Sequence, residues 1–291
     1  MSLKTLFLTN PGSRSGDDDL DAVAKRLEKE GPVVFERPGE PEDLPKLLRR
    51  HGPDSDRVIL GGGDGTINLA LDALLEVDKP FGILPLGTAN DLARSLRIEA
   101  DIDEALAVIA RGETRRIDVA RANDVSFVNA IGLGLGPQMT REMDSETKSR
   151  FGVLAYLIGV IRAFRKQADF SARIRIDDHE HQVQCTQITI ANGIHYGGGM
   201  TISEDAKLDD GCLDVLMVHP ESRLSLIANA LHLRFGRTRA NDAMTHRRCR
   251  RVELNTEPEL EVTADGEFLL STPVKCSVKP GALSVFAPPP V

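Results

Sequence analysis

A run of glycine, aspartate and threonine stands between a predicted strand and a predicted helix. The run extends from Leu60 to Asn68 and reads Leu-Gly-Gly-Gly-Asp-Gly-Thr-Ile-Asn. Because glycine lacks a Cβ, its backbone can approach a ligand closely, and a helix start offers N–H groups and a positive dipole end. The run therefore predicts a phosphate-binding loop, in which Asp64 either binds a phosphate-bound Mg²⁺ or caps its helix. The alternative, a tight strand-to-helix turn, needs fewer glycines.

Two other polar loops also follow predicted strands. Asn10 to Gly16 follows the first strand, and Pro85 to Arg94 follows the fourth. Because open α/β sheets bind ligands at the carboxyl ends of their strands, the three loops are expected to meet at one site. Thr88, Asn90 and Asp91 are equally suited to capping the helix that follows them, so that alternative stays open.

Strands and helices alternate in the first third of the chain. The predicted strands are Leu6–Leu8, Val33–Phe35, Val58–Leu60 and Phe81–Leu84, and the predicted helices are Leu20–Leu27, Leu44–Arg50, Ile67–Val77 and part of Leu86–Leu96. This alternation is typical of a parallel, doubly wound α/β sheet.

Strands dominate the remainder of the chain. The predicted strands are Val125–Asn129, Phe170–Ile176, Val183–Ala191, Leu213–Val218 and Leu260–Ala264, with helices at Arg150–Lys166 and Glu221–Leu233. Alternation of polar and apolar residues is typical of an antiparallel sheet with one buried face. The predicted fold class is therefore an α/β N-terminal doubly wound sheet domain plus a mainly antiparallel β-sandwich C-terminal domain. The predicted boundaries are 1–120 and 121–291, with the last residues able to pack back on the first domain.

The bulk composition excludes several classes of protein. The chain has 291 residues, a formal charge of −8 and 41% hydrophobic residues, which excludes disordered and collagen-like chains. Its longest apolar run, Phe151 to Ile161, is well short of the roughly 20 residues of a spanning helix, and no signal peptide pattern precedes it. The four cysteines are far apart in the sequence and are expected to be free thiols in a reducing cytosol.

Several strings of residues together resemble a known family. They are Asn10-Pro11 with Ser13 and Gly16, Gly62-Gly63-Asp64-Gly65-Thr66, Pro85-Leu86-Gly87-Thr88 with Asn90, Asp91 and Arg94, Asn192-Gly193, Tyr196 to Met200, Asp209-Asp210-Gly211 and Asp265-Gly266-Glu267. In this order, and over nearly the whole chain, they resemble the diacylglycerol kinase-type lipid kinases, in particular the small soluble bacterial ones. The glycine string alone is shared with NAD kinases, and the Leu-Gly-Thr-x-Asn-Asp string makes the resemblance specific.

The resemblance implies a two-domain kinase that uses ATP and Mg²⁺. The residues that would bind ATP are Asn10, Pro11, Gly12, Ser13, Arg14, Gly62, Gly63, Asp64, Gly65, Thr66, Ile67, Asn68, Thr88, Asn90 and Asp91. Asp64 would also serve catalysis by helping to hold the metal, and either Asp265 or Glu267 would accept the proton of a lipid hydroxyl. From the residues alone, an Asp-Gly pair is more typical of a hairpin turn.

The resemblance further implies a structural Mg²⁺ site at a loop of the second domain. Its ligands would be Asp210 and the main-chain oxygens of Lys207 and Cys212. Two departures from the family weaken the match: Glu204 stands where a proline is frequent, and a threonine expected after the second strand is replaced near Arg37. The second departure puts one nucleotide contact in question.

Two segments bear on membrane contact. The apolar helix of residues 151–164, ended by Arg162, Arg165 and Lys166, would fit a membrane interface, but it is apolar on more than one face and core packing is its default interpretation. The second segment is a basic stretch. Residues Arg234 to Arg251 include seven arginines and one acid, Asp242. Such a stretch either faces an anionic leaflet or is solvated and paired within the protein. Nucleic acid is disfavoured as a partner because only Phe235 is available for stacking.

The sequence thus predicts a cytoplasmic, ATP-dependent lipid kinase that visits the inner membrane face transiently as a peripheral protein. It would phosphorylate a hydroxyl of diacylglycerol or a related lipid. The alternatives are an NAD kinase and a catalytically silent nucleotide- or lipid-binding protein. Which lipid is the acceptor, and whether the chain forms a homodimer, stay open.

Overall fold

A computed structural model of the chain describes residues 2–10, 17–134, 169–203, 205–220, 244–265 and 267–290. The predictions for residues 11–16, for the helices at 150–166 and 221–233, for the arginines of 234–239 and for Glu204 lie outside these residues. The chain divides into two units, residues 1–119 with 279–291 and residues 120–278.

The first unit is built on a parallel sheet. Its elements are β1 (Thr5–Thr9), α1 (Asp17–Leu27), β2 (Val33–Glu36), a 3₁₀ turn (Pro41–Asp43), α2 (Leu44–His51), β3 (Arg57–Gly62), α3 (Asp64–Val77), β4 (Phe81–Pro85), α4 (Asp91–Ser95) and α5 (Ile102–Arg111). The strand order is β2-β1-β3-β4, and each pair of neighbours is parallel. The apolar residues of β1 and β3, such as Leu6 and Ile59, are fully buried. The predicted α/β class of this half is confirmed.

Three helices differ from the prediction. α1 begins at Asp17 instead of Leu20, so the acidic residues expected at its positive end lie within it. α3 begins at Asp64 instead of Ile67, because Gly63 is its N-cap and the N–H of Ile67 donates to the Gly63 carbonyl at 3.2 Å. α5 was missed, although its ends carry sequence signals. The Asp101 carboxylate accepts from the N–H of Glu104 at 3.0 Å, and Gly112 ends the helix in the left-handed region.

The second unit is a sandwich of two antiparallel sheets. The strands that lie wholly or partly in it are β5 (Thr114–Ala122), β6 (Val125–Phe127), β7 (Ala130–Gly134), β8 (Phe170–Ile176), β9 (His179–Cys185), β10 (Gln187–Ala191), β11 (His195–Tyr196), β12 (Met200–Thr201), β13 (Leu213–Val218), β14 (Met244–Cys249), β15 (Arg251–Glu257), β16 (Glu261–Ala264), β17 (Glu267–Ser271) and β18 (Val274–Phe286). One sheet has the order β14-β13-β10-β7-β16-β17, and in the other β15 lies between β18 and β8, with β9 beyond β8. Side chains from both sheets, among them Ile174, Val252, Ile190 and Val215, share one buried core. The predicted antiparallel sandwich is confirmed.

The predicted strands of this unit agree with the structure to different degrees. The bounds predicted for β8 and β13 are the observed ones. The single strand predicted at Val183–Ala191 is wrong, because the chain forms two strands that separate at Thr186. The N–H of Thr186 donates to the carbonyl of Val218 at 2.9 Å, and the side chain of Thr186 is buried. Thr186 therefore lies between the end of β9 and the start of β10, which pairs with β13.

The sandwich core contains three of the four thiols. Burial raises the pKa of Cys185, Cys249 and Cys276 to about 12, whereas Cys212 is partly exposed. Since the thiolate is the reactive form, we expect a disulfide reagent at about pH 8 to modify Cys212 quickly and the other three slowly. The raised pKa values also predict that the free energy of unfolding falls as the pH rises above about 8.5. Above that pH the three thiols ionise in the unfolded chain but not in the folded protein, which favours the unfolded state.

Native and guanidinium-unfolded samples provide the comparison for this thiol prediction. The unfolded chain should expose all four thiols. Rapid modification of three or four thiols in the native protein would contradict the buried core described above.

Candidate active site

Asn10 connects the end of β1 to the glycine run. Its N–H donates to the carbonyl of Gly61 at 3.0 Å, and its Nδ2 donates to Oγ1 of Thr66 at 3.1 Å. Thr66 is buried against Gly62, where an added Cβ would lie 2.2 Å from Oγ1 of Thr66. Packing against the first turn of α3 therefore accounts for Gly62, which does not have the positive φ that the tight-turn alternative would need.

Gly63 and Gly87 bring the loops after β3 and β4 into direct backbone contact. A Cβ at Gly63 would lie 2.9 Å from Cα of Gly87, and a Cβ at Gly87 would lie 2.5 Å from Cα of Gly63. The N–H of Leu86 also donates to the carbonyl of Gly62 at 3.0 Å. Two of the three predicted loops thus meet at the carboxyl ends of neighbouring strands, and both glycines are needed for that contact.

Asn90 closes the second of these loops. Its Nδ2 donates to the carbonyl of Gly87 at 3.0 Å, and its Oδ1 accepts from the N–H of Gly87 at 3.0 Å. The residue is buried and has a φ of 50°, a left-handed conformation that asparagine tolerates better than most residues. Its side chain makes no capping hydrogen bond to α4, so the structure gives it the role of fixing the loop.

Asp64 holds the two loops together in a way that the sequence did not predict. Its Oδ2 accepts from the N–H of Asp91 at 3.0 Å, and its Oδ1 accepts from the N–H of Leu92 at 3.1 Å. These amides belong to the first turn of α4, so Asp64 caps a neighbouring helix and not its own. A carboxylate at a helix N-terminus is electrostatically favourable, so the charge of Asp64 is well placed at the starts of both α3 and α4.

The surface around α3 leaves several groups open to a ligand. Gly65 and Thr88 are exposed, and Asn68 is partly exposed. The first turn of α3 presents backbone N–H groups at the positive end of the helix dipole. The predicted contacts Pro11, Gly12, Ser13 and Arg14 lie outside the described residues.

Arg37, at the departure from the family pattern, follows β2 on the same edge of the sheet. Its Nη2 donates to Oδ1 of Asp21 at 2.8 Å, and its guanidinium lies 4.7 Å from the ring centroid of Phe35. Phe35 in turn stacks on Phe7, with centroids 4.6 Å apart. An ion pair and a cation–π contact thus position this arginine where a threonine was expected.

Asp265 lies between β16 and β17 and connects this hairpin of the second unit to the backbone of residues 128–130 by hydrogen bonds. Its carboxylate accepts from the backbone N–H groups of Val128, Asn129 and Ala130 at 3.1, 3.0 and 2.9 Å. Its own N–H donates to the carbonyl of Ala130 at 2.9 Å, and its φ of 46° lies in the left-handed region. The three amide donors hold the carboxylate in one orientation against the backbone of residues 128–130. The geometry therefore suits a positioning role better than proton transfer.

Glu267 has a different environment. It begins β17 opposite Ala264 and is exposed. Its side chain makes no hydrogen bond or ion pair with the residues that the structure describes. Of the two carboxylates of this hairpin, Glu267 is the one whose oxygens are open to another molecule.

Asn192 is a further positioning residue on the same segment. Its Nδ2 donates to the carbonyl of Val128 at 3.0 Å, and its N–H donates to the carbonyl of Asn129 at 2.8 Å. It is 1% exposed. The only signal in the sequence was an asparagine directly after the apolar strand β10, which does not indicate the partners of that asparagine.

An ion pair involves Asp210, the only side chain among the predicted Mg²⁺ ligands at residues 207–212. Oδ1 of Asp210 accepts from the N–H of Cys212 at 2.9 Å, and Oδ2 of Asp210 pairs with the guanidinium of Arg248. Within the described residues, no group of three or more His, Cys, Asp or Glu side chains is arranged to hold a metal ion.

Only part of the basic stretch lies within the described residues. Arg248 is paired, while Arg247, Arg250 and Arg251 are exposed. Arg250 and Arg251 share a surface depression with four acidic residues, Asp177, Asp178, Glu180 and Glu253. This region is thus less basic than its sequence suggests. No helix of the described residues has both the length and the apolar character needed to cross a bilayer.

Two families match consecutive parts of the chain. Residues 4–122 match the diacylglycerol kinase catalytic domain, and residues 129–287 match the YegS C-terminal NAD kinase beta sandwich-like domain. A Yersinia enterocolitica protein named "Probable lipid kinase YegS-like" is 33% identical over 98% of this chain and 97% of its own length. An uncharacterised Synechocystis protein is 30% identical over 85% of this chain, which spans 59% of that protein.

A solved structure shares the whole fold. The crystal structure of a diacylglycerol kinase from Bacillus anthracis matches with a TM-score of 0.83 and 27% identity, over 98% of this chain and 97% of the other.

Proposed function

Because the chain belongs to the family of diacylglycerol kinase-type lipid kinases, we propose that it transfers the γ-phosphoryl group of ATP to the hydroxyl group of a lipid. The observation that supports this most directly is the paired loops of the first unit, joined by Gly63 and Gly87 and fixed by Asp64. They place the N-terminus of α3 at the carboxyl edge of a parallel sheet, where a polyphosphate is best bound.

The first unit would bind the nucleotide. Backbone N–H groups at Gly65 and Thr66 and the positive end of α3 would neutralise phosphate charge, and exposed Thr88 would add a hydroxyl donor. Asn10 and Asn90 would act indirectly, since their side chains hold the loops in position.

Magnesium would enter with the nucleotide as part of the substrate. Asp64 fits this chemistry because Mg²⁺ prefers oxygen ligands and the Asp64 carboxylate lies at the start of α3, beside the proposed phosphate site. When bound, the ion would neutralise charge that develops on the transferred group.

The second unit would supply the lipid acceptor site and the base. We assign the base to Glu267, and to Asp265 the role of holding the hairpin that carries it. In the transfer, the lipid hydroxyl oxygen bonds to the γ-phosphorus and the bond to the β,γ-bridging oxygen breaks. The hydroxyl proton passes to the Glu267 carboxylate, and ADP leaves.

Incubation with γ-labelled ATP tests the proposal and names the acceptor. We expect label in lipid when the protein is given vesicles that contain diacylglycerol, a sphingoid base or phosphatidylglycerol. The transfer should be faster on vesicles with anionic lipid, if Arg247, Arg250 and Arg251 help a peripheral approach to the membrane. Label in NAD alone would replace the proposal by an NAD kinase, and label in no acceptor would favour a silent binding protein.

A further inference from the structure

A guanidinium lies at the loop where the resemblance implies a structural Mg²⁺. Arg248 on β14 stands directly opposite Asp214 on the antiparallel strand β13. Its Nη2 pairs with Oδ2 of Asp210, and its Nε lies 3.7 Å from Oδ1 of Asp214. The arginine thus bridges two carboxylates, one just before β13 and the other within it.

Burial makes this bridge more than a surface ion pair. The side chain of Asp214 is 2% exposed and that of Asp210 is 16% exposed, whereas that of Arg248 is 39% exposed. A buried carboxylate needs a cation or hydrogen-bond donors to offset the loss of its hydration. Nε2 of His246, 2.6 Å from Oδ1 of Asp214, is the other group that meets this need.

The same contacts leave no suitable place for a divalent ion. Mg²⁺ requires near-octahedral oxygen ligands at about 2.0–2.1 Å. Both oxygens of Asp210 already have donors, the N–H of Cys212 and the guanidinium of Arg248. A metal bound to Asp210 would also lie within a few ångströms of the Arg248 charge, and like charges at that distance repel.

We infer that Arg248 takes the place of the divalent cation in this chain, so that the loop at residues 207–212 is held by the protein's own guanidinium and does not bind Mg²⁺. The inference does not depend on the proposed kinase activity. It concerns only this loop, and the Mg²⁺ that accompanies ATP is unaffected.

Thermal unfolding of the nucleotide-free protein tests the inference. The Tm of the wild type should be the same in EDTA and in about 10 mM Mg²⁺, because no ion binds the loop. Arg248→Met should lower the Tm by about 5 °C, a figure that allows for the partial exposure of the pair. Mg²⁺ should then restore part of that loss, because the two carboxylates regain free oxygens.

Arg247→Met is the matched control. Arg247 is the neighbouring residue on β14, and its guanidinium donates to the carbonyl of His246 at 2.9 Å without bridging acids. Its replacement should change the Tm little and create no response to Mg²⁺. If Arg248→Met does not fold, Arg248→Gln, which removes the charge but keeps a hydrogen-bond donor, should give a smaller loss with the same response.

Three results would overturn the inference. The first is a wild-type Tm that rises with Mg²⁺ in the absence of nucleotide. The second is equal Tm values for Arg248→Met and Arg247→Met. The third is a loss in the Arg248 variant that Mg²⁺ leaves unchanged. Because none of these readouts uses phosphoryl transfer, they are distinct from a failure of the proposed function.

Discussion

Replacing Glu267 by glutamine is expected to lower the rate of phosphoryl transfer by about 10²- to 10⁴-fold, the usual contribution of a general base. Glutamine keeps the size of the side chain but cannot accept the hydroxyl proton at neutral pH. Glu267 is exposed, and its side chain has no hydrogen bond or ion pair with other described residues, so we expect the Tm to be unchanged. Affinity for ATP should also stay close to the wild-type value, since the nucleotide is assigned to the first unit. Initial rates with labelled ATP and a separate nucleotide titration measure the two effects.

Two further variants make this experiment specific. Glu257→Gln removes another exposed carboxylate of the same unit, at the end of β15, and should leave the rate unchanged. Asp265→Asn should lower the Tm, because one amide oxygen replaces a carboxylate that accepts from three backbone N–H groups. If instead Asp265→Asn lost turnover at an unchanged Tm and Glu267→Gln kept it, Asp265 would be the base.

Gly87→Ala is expected to weaken ATP binding by about tenfold or more, which corresponds to about 1.4 kcal/mol of binding free energy. The new Cβ would lie 2.5 Å from Cα of Gly63 and 2.8 Å from Oδ1 of Asn90. Because the nearest atom is backbone, the two loops must move apart, and with them the N-terminus of α3. Overpacking of this kind costs about 1–3 kcal/mol, so the Tm should also fall. A nucleotide titration and thermal unfolding report the two effects.

Gly39→Ala is the matched control for that substitution. An added Cβ at Gly39 meets no atom within 4 Å, so neither ATP affinity nor Tm should change beyond the ordinary effect of an alanine. Tight ATP binding by Gly87→Ala would show that the contact between the loops does not shape the nucleotide site.

Several helices and strands whose own residues carry a clear apolar pattern were predicted from the sequence. The apolar run before Gly61 and the glycines after it predicted a strand, a loop and a helix, and all three are present. The alternation of residues 170–176 gave the bounds of β8. The same alternation in Arg251–Glu257, where Val252 and Leu254 are buried between exposed polar residues, was present but not interpreted as β15. β18 was missed because Pro280 and Gly281 interrupt its pattern, although Gly281 is accommodated with a φ of 55°.

Partners that are distant in sequence were beyond a single-sequence prediction. Asp64 was recognised as a functional carboxylate, but its hydrogen-bond donors lie 27 and 28 residues further along the chain. Asp265 looked like a turn residue, and its three amide partners are 135 to 137 residues away. Residue type indicated that these groups were polar and important. Only the fold determines which donors reach them, and that decides between a base, a cap and a positioning residue.

The central claim, that this chain is a lipid kinase, is tested most directly by the stoichiometry of one reaction. Labelled ATP is incubated with the protein and diacylglycerol vesicles, and ADP, inorganic phosphate and extracted phospholipid are counted over time. We expect ADP and phosphorylated lipid to appear in equal amounts, with little free phosphate and with both products lost in Glu267→Gln. Formation of ADP with inorganic phosphate alone, or of no ADP in the presence of any lipid acceptor, would contradict the account.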